Sequence, residues 1–345
     1  MARRTQRAGG RAGMREVADY AGVAISSVSR VLSGHPDVSP AMRERVMAAV
    51  DRLGYQPDLL AQSLRLQSTR SVGFMVGDIS NPLLAEIAMG AEKTLREAGH
   101  SMLLTTSEND PELDARHIRL LLQRRVDGLL LSLASEDHAE TIELLRGTDE
   151  PIVLVDRELP GSVRASAVLS DHRTGMRAAV DHLLDLGHRD IGLVVGQPVR
   201  FSRERRAGLE DAYAARGLPH SYRVLEGRLS PEHGRGATAE LLDGSPAPTA
   251  IVAGGNQILA GALREIVARG MRVGADISLV SCDEISVTEL FDPPIAVIRR
   301  DTGELGRRAA QLLLEHLRGD DEPREVVLPT EFVPRPSCAP PPQRG

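Results

Sequence analysis

One short segment holds the side chains that could contact a nucleic acid. On one face of a short helix it would present Ile25, Ser26, Ser29 and Arg30, with Ser27 at the flank. Small hydroxyl groups near a helix N-terminus can approach phosphates closely, helped by backbone N–H groups and the helix dipole. Arg30 is long enough to give guanine O6 and N7 two hydrogen bonds, worth roughly 1–3 kcal/mol of discrimination.

Three short helices would position this face. The first begins at Met14 and ends before Gly22, which suits a tight turn because it tolerates positive φ. The second is predicted over 25–32. Ser39-Pro40 then opens a third helix as N-cap and first-turn proline, and Gly54 ends it. This arrangement predicts a helix-turn-helix, whose second helix enters the major groove, although three short helices also occur for other reasons.

The head resembles the LacI/GalR family over a long ungapped stretch. The matching segments are Glu16–Val23, Val28–Gly34, Val38-Ser39, Arg43–Val46 and Leu53–Pro57. The resemblance implies that Ile25 and Ser26 read base edges and that Arg30 reads a base or clamps the backbone. It further implies phosphate contacts for Ser27 and Ser29.

Residues 57–70 are expected to form a hinge. Pro57 ends the third helix, and residues 59–65 have room for one or two helical turns, which are marginal in isolation. In the family this segment folds when paired across a dimer on DNA. The resemblance implies that Ala61 and Leu64 enter the minor groove, with Leu64 as the wedge that unstacks a base step. A plain linker whose leucines pack on the body is the alternative.

The long segment 71–336 alternates strand-like and helix-like stretches. A first series starts with the apolar strand 72–76, and a second opens with a helix over 174–186 followed by a strand over 191–195. Such alternation indicates parallel sheets covered by helices, and two series indicate two similar lobes. Ligands of open parallel sheets bind beyond the C-terminal strand ends, so two facing lobes would form a cleft for a small molecule.

The family resemblance continues through this body. It rests on Asp78–Pro82, Arg125–Gly128, Leu186–His188, Arg205–Gly208 and Gly274–Ser278. It implies an α/β body with a two-lobed, periplasmic-binding-protein-like fold, following the all-α head. The chain would cross between the lobes three times. The lobes are expected at about 71–169 with 299–325, and at 170–298 with 326–336.

The same resemblance implies a set of effector contacts in the cleft. These are Ser80, Leu83, Asp156, Arg205, Leu229, Gly255, Asp283 and Arg300. Asp283 matches an acidic residue that accepts hydrogen bonds from ligand hydroxyls or amines, and Arg205 matches a pocket arginine. Asp156 would be a second carboxylate that contacts the ligand in the cleft. Alternatively, it only forms an ion pair with Arg157.

Several of these positions depart from the family in ways that bear on the ligand. Leu229 stands where an aromatic side chain often stacks on it, Gly255 replaces a frequent Asn, and Arg300 replaces a frequent Gln. Only 2% of the chain is aromatic and it has no Trp, which disfavours a flat sugar or purine. Arg205, Arg228 and Arg300 together would favour a carboxylated or phosphorylated effector.

An enzyme and a transport solute-binding protein are the two alternative classes of function for such a chain. An enzyme would need a catalytic or cofactor motif, but Gly254–Gln257 does not match the dinucleotide-binding fingerprint. His182 and His188 have no further His or Cys near them at the spacing of metal ligands. We therefore predict no enzyme, no cofactor and no metal. A transport solute-binding protein would use the same cleft. It would be expected to have a signal peptide and to lack a DNA-reading helix, and this sequence fits neither expectation.

Charge and composition set the remaining expectations. Residues 1–70 hold eleven Arg and six acidic residues, which gives a formal charge of +5. Because the whole chain has a net charge of −6, residues 71–345 carry a charge of −11. A basic head suits a polyanion, although four of these arginines lie in a Gly-rich arm that could simply be solvated. The basic start lacks a following apolar stretch and no apolar run reaches 18 residues, which predicts a cytoplasmic protein without a membrane span.

These observations predict an ordered arrangement of segments. They are a disordered basic arm (1–13), the DNA-binding head (14–56), the hinge (57–70), the two-lobed effector-binding and dimerisation body (71–336) and a disordered tail (337–345). No heptad pattern marks the chain end, so no added helical bundle is expected. The expected partners are palindromic operator DNA, a small-molecule effector such as a sugar derivative, and a second copy in a homodimer.

Overall fold

The computed structural model describes residues 12–32, 35, 37–55 and 68–342. The chain divides into two compact units, a head (1–69) and a body (70–345). The predicted hinge residues Ala61 and Leu64 lie outside the described residues. No helix in the described part of the chain is both long and apolar enough to span a membrane.

The head consists of α1 (Met14–Ala21), α2 (Ile25–Leu32) and α3 (Pro40–Leu53). Their inward faces share a small core that includes Val17, Val28, Val46 and Ala49. These bounds confirm the helices predicted from sequence, because the signals at their ends are local.

Two local signals fix the turns of the head. Gly22 has φ 62° and ψ 40°, the left-handed conformation that lets the chain leave α1 and enter α2 within a few residues. The Ser39 hydroxyl accepts a hydrogen bond from the Met42 backbone N–H and so caps α3.

The body contains two six-stranded sheets. The first sheet has the order β11-β5-β4-β3-β1-β2, with β1 Ser71–Val76, β2 Ser101–Thr106, β3 Gly128–Leu131, β4 Ile152–Val155, β5 Ser166–Ser170 and β11 Glu325–Leu328. The second has the order β12-β10-β9-β8-β6-β7, with β6 Ile191–Val195, β7 Arg223–Glu226, β8 Ala250–Ala253, β9 Ser278–Cys282, β10 Ala296–Arg299 and β12 Glu331–Val333. All pairs are parallel except β10 with β12.

Helices cover both faces of each sheet. The first lobe has α4 (Pro82–Glu97) and α12 (Thr302–Leu317) on one face and α5 (Pro111–Gln123) and α6 (Ala139–Arg146) on the other. The second lobe has α7 (His172–Asp185) and α8 (Arg200–Ala215) on one face and α9 (Pro231–Asp243) and α10 (Asn256–Ala268) on the other, with the short α11 (Ser286–Leu290) after β9. The inner strands are buried on both faces, as parallel sheets covered by helices require, whereas the edge strands β2, β7, β11 and β12 are partly exposed.

The chain crosses between the lobes three times, after β5, after β10 and after β11. The last crossing was expected near residue 325, but it lies between residues 328 and 331, so the expected boundary was wrong by a few residues. Residues 325–328 pair with β5 in the first sheet, and only 331–333 pair with β10 in the second. Pro329, which has no N–H to donate to a sheet ladder, separates the two short strands and marks the change of sheet.

The tail prediction was also wrong for the described residues 337–342. Ser337 is fully buried, where its hydroxyl donates to the Leu279 carbonyl and accepts from the Ala296 backbone N–H. Ala339 exchanges hydrogen bonds with the Ser278 hydroxyl. These partners are distant in sequence, so the tail's composition did not reveal them.

Candidate DNA-binding helix and interlobe cavity

The outer face of α2 carries the residues that the sequence singled out. Val28 and Val31 are buried in the head core, which turns Ser26 and Arg30 outward and leaves the Ile25 side chain 43% exposed. The flanking residues Ser27 and Ser29 are half-buried. The head therefore presents an apolar residue, hydroxyl groups and a guanidinium on one accessible helix face.

A cavity lies between the two lobes of the body. Its walls bring together seven of the eight residues expected there: Leu83, Asp156, Arg205, Leu229, Gly255, Asp283 and Arg300. Sequence reasoning missed further lining residues, namely Asn81, Leu84, Ile87, Asn109, Ser132, Val155, Arg157, Phe201 and Asn256. The cavity is thus walled by both apolar and polar side chains from both lobes.

Ser80 is the exception, and its expected place in the cavity was wrong. Its side chain is exposed and its hydroxyl donates to the Asp78 carboxylate at 2.7 Å. The next residue, Asn81, is buried in the cavity wall and caps α4 by accepting from the Leu83 backbone N–H. Arg228 is also exposed and is not part of the lining.

Asp156 and Asp283 place two buried carboxylates in the cavity. Asp156 follows β4 with φ 56° and Asp283 follows β9 with φ 78°, both in the left-handed region that non-glycine residues rarely adopt. Asp156 accepts from the Ser170 backbone N–H at 2.8 Å and lies 2.9 Å from His172 Nε2. Strained backbone of this kind clusters at ligand sites and switch regions.

Arg300 joins these two carboxylates. Its Nη1 donates to Asp156 Oδ2 at 2.5 Å and its Nε donates to Asp283 Oδ1 at 2.6 Å. Burial by itself raises the pKa of both carboxyl groups, but their partners outweigh it and lower both pKa values. The opposing interactions come from His172 and then Arg300 at Asp156, and from Arg300 and then Arg205 at Asp283. Both carboxyl groups are therefore ionised at neutral pH.

His172 is a neutral member of this network. Burial lowers its pKa to about 4, although the Asp156 carboxylate opposes that shift. At neutral pH the imidazole is uncharged and its Nε2–H can donate to Asp156.

Phe201 supplies an aromatic ring that the sequence did not lead us to expect. It lies at the start of α8, and the guanidinium carbons of Arg157 and Arg205 are each 5.0 Å from its ring centroid. That distance is typical of cation–π contacts. A signal was available, since Phe201 is one of only four Phe in the chain and follows β6 closely.

Direct contacts across the cavity hold the two lobes together. Asn81 of the first lobe and Asn256 of the second exchange side-chain hydrogen bonds of 3.3 and 2.9 Å. Gly255, just before Asn256, has φ 146°, a conformation that favours glycine and accounts for the departure from Asn at this position.

A second group of contacts closes the rim. The Glu136 carboxylate of the first lobe accepts from the Arg200 backbone N–H at 2.9 and 3.0 Å, at the N-terminus of α8. Arg203 donates to Glu136 at 2.7 Å and to Glu158 at 3.0 Å. The residue preceding α8, Val199, cannot cap the helix with its side chain, so the cap comes from the opposite lobe.

Comparisons with known proteins agree with this architecture. Residues 13–58 match the family model of bacterial regulatory proteins, lacI family, and residues 180–338 match a periplasmic binding protein-like domain. The chain is 30% identical to the HTH-type transcriptional repressor PurR of Actinobacillus pleuropneumoniae serotype 3 (strain JL03) over 93% of this chain and 97% of the relative. For PurR of Haemophilus influenzae (strain PittEE) the identity is 32%, covering 90% and 92%.

Solved structures give the same picture. The lac repressor dimer bound to operator and the anti-inducer ONPF superposes with a TM-score of 0.84 and 28% identity, covering 96% of this chain and all of that one. The complex of the regulator CelR with cellobiose gives a TM-score of 0.71 and 31% identity, covering 95% and 100%.

A helix-turn-helix head and a two-lobed body with an interlobe cavity define a ligand-responsive transcription regulator. The sequence matches then narrow the class. The chain belongs to the LacI family of bacterial regulatory proteins.

Proposed function

We propose that this chain represses transcription by binding a palindromic operator as a homodimer, and that a small molecule in the interlobe cavity controls its operator affinity. One observation supports this most directly: a head with an exposed reading helix and a body with a polar interlobe cavity occur in the same chain. The relatives named as transcriptional repressors support the direction of control. Such a protein acts in the cytoplasm, where the operator DNA is, and needs no catalytic step.

The DNA contacts are assigned residue by residue. Ile25 and Ser26 contact base edges in the major groove, and Arg30 gives a guanine two hydrogen bonds. Ser27 and Ser29 hold phosphates at the same helix. We keep the hinge proposal for Ala61 and Leu64, whose segment 57–70 would link the DNA-binding head to the effector-binding body.

The exposed apolar residues of the body fit a homodimer. Apart from Ile79 and Val327, they are Met89, Leu103, Leu104 and Leu120 on the first lobe and Val267, Val287 and Leu290 on the second. In the first lobe, they lie on the edge strand β2 and on the two helices, α4 and α5, that contact it. We propose that a second copy covers both groups, as a two-fold operator requires.

The effector is a sugar or sugar derivative. Asp156 and Asp283 can accept hydrogen bonds from hydroxyl groups, and the Asn81 and Asn256 amides can both donate and accept. The cellobiose complex of CelR supports a carbohydrate ligand for this kind of cavity. Control follows from linkage: a ligand that prefers one lobe arrangement shifts operator affinity by the difference in its own binding, typically about 1–3 kcal/mol.

Selection from a pool of random duplexes tests the proposal. The purified chain at two salt concentrations is expected to enrich one palindromic site, because base contacts add to the salt-dependent phosphate contacts. Arg30→Ala should lose that enrichment and keep weak non-specific binding. A pool that stays random, with and without added metabolite extract, would refute operator recognition.

A further inference from the structure

Arg157 is a buried arginine whose charge the cavity leaves incompletely matched. Its side chain is 8% exposed and lines the cavity. Its Nε donates to the Leu133 carbonyl at 2.5 Å and its Nη1 to the Asp156 carbonyl at 2.9 Å. Within the described residues, no carboxylate oxygen is among its hydrogen-bond partners, so a guanidinium with five donors is held by two backbone carbonyls.

Arg205 is held in a similar way on the opposite lobe. Its Nη1 donates to the Gly254 carbonyl at 3.0 Å, and its Nη2 lies 3.5 Å from Asp283, an ion pair rather than a close hydrogen bond. Both guanidinium groups lie 5.0 Å from the Phe201 ring centroid. Phe201 therefore contacts two guanidinium groups, one from each lobe, at one wall of the cavity.

Among the residues that line the cavity, arginines outnumber carboxylates by one. Its lining contains three arginines, Arg157, Arg205 and Arg300, but only two carboxylates. Both carboxylates accept close hydrogen bonds from Arg300, so that arginine is already paired with acidic groups of the protein. Two further carboxylates act on Arg157 electrostatically without being among its hydrogen-bond partners. Glu136 is held by the Arg200 backbone and by Arg203 at the rim, and the buried Asp114 accepts from the Ala134 backbone N–H at 2.6 Å.

Burial adds a driving force for an anion. It lowers the pKa of the Arg157 guanidinium from its ordinary value, against the opposing effects of Glu136, Asp156 and Asp114. The charged form is thus poorly solvated where it lies. An anionic ligand group would supply the missing acceptors, since arginine forks match carboxylate and phosphate oxygens in a bidentate manner.

We infer that the effector of this chain is an anionic carbohydrate, whose carboxylate or phosphate group binds Arg157 and Arg205 beside Phe201. This rests on the proposed function, because it names the ligand class of the same cavity. The sugar hydroxyls then face the Asn81–Asn256 pair. The earlier expectation for Arg228 does not contribute, since that side chain is exposed.

Matched pairs of probes that differ only in charge test the inference. D-gluconate is compared with D-sorbitol, and D-glucose 6-phosphate with D-glucose, by calorimetric titration and melting temperature at constant ionic strength. The wild-type chain is expected to bind one anionic probe at least about tenfold more tightly than its neutral counterpart. The two pairs distinguish a carboxylate from a phosphate ligand.

Variants locate the effect in the cavity. Arg157→Met should abolish the preference for the anion, and Arg157→Lys, which keeps the charge without the fork, should retain part of it. Arg206→Met is the matched control, because Arg206 is exposed on α8 and pairs with Glu210. If Arg157→Met does not fold, the lysine variant and the wild-type probe pairs still decide the result.

Two results would overturn the inference: equal binding of charged and neutral probes by the wild type, or an unchanged anion preference in the folded Arg157 variants. Either result leaves the proposed function intact if the same preparation still selects an operator. Failure to select any operator refutes the proposed function instead, whatever the probes do.

Discussion

Asp156 and Asp283 occupy equivalent positions in the two lobes. Each is the first residue after the strand that is third in its sheet order, β4 in one sheet and β9 in the other, and each has positive φ. Their carboxylates face the same cavity, where Arg300 binds both. The internal similarity of the lobes thus brings two like charges together, and one crossover arginine partly neutralises both.

Replacing Arg300 tests how strongly the fold depends on this neutralisation. Arg300→Met leaves two buried carboxylates without their main cation, so it should lower the free energy of unfolding by about 3–5 kcal/mol. Arg299→Met is the control, because Arg299 is half exposed and its pair with Glu331 should contribute less than about 1 kcal/mol. Urea unfolding measures both, and equal losses would contradict the central role of Arg300.

The buried imidazole of His172 predicts a pH dependence. Its folded-state pKa of about 4 lies below the ordinary value of 6.5, so the unfolded chain binds the proton first as the pH falls. The stability associated with neutral His172 is complete above pH 6.5 and is lost between about pH 6.5 and 4. The free energy of unfolding of the wild type should therefore be lower at pH 5 than at pH 7.

His172→Gln separates this effect from other groups. Glutamine can still donate to Asp156 but does not titrate, so the difference between pH 7 and pH 5 should shrink. His188, whose pKa burial also lowers, is unchanged in the variant and accounts for a residual slope. An identical slope in both proteins would mean that His172 does not contribute.

The helix cap supplied across the rim should control lobe closure. Glu136→Gln removes the negative charge from the N-terminus of α8 and from Arg203, so the closed arrangement should lose about 0.5–2 kcal/mol. Distances between spin labels, one on each lobe, report the change as a larger open population. Asp137→Asn is the control, since Asp137 is exposed and its side chain bonds to Ser135. A response in the control equal to that of Glu136→Gln would rule out a specific cap.

Local signals were sufficient for the head but not for the cavity. The bounds of α2 and α3 followed from helical spacing and from cap residues, which act over a few positions. The cavity residues Arg157 and Phe201 acquire their relationship only when the two lobes close, so no short-range pattern predicts it. The family resemblance supplied seven of the sixteen residues that line the cavity, but it misplaced Ser80, whose hydroxyl donates to Asp78.

The proposed dimer surface predicts a change in assembly state. Leu290→Asp should not impair folding, because the Leu290 side chain is 83% exposed in the single chain. At a dimer contact, however, the new carboxylate would be buried without a partner, which is strongly disfavoured. Sedimentation should then show a shift from dimer to monomer. Val327→Asp is the matched control, because Val327 is an exposed apolar residue outside the proposed surface. Dissociation of both variants, or of neither, would contradict the proposed dimer surface.

Leu64 provides the test of the hinge. If its side chain unstacks a base step in the minor groove, Leu64→Ala should weaken binding to the selected operator by roughly 10- to 100-fold, a loss comparable to one or two base contacts. Binding to random duplex should hardly change, because phosphate contacts supply that affinity. Fluorescence anisotropy with both duplexes at one salt concentration measures the two affinities. Equal losses on operator and random DNA would instead favour the plain linker, in which Leu64 stabilises the protein rather than the bent duplex.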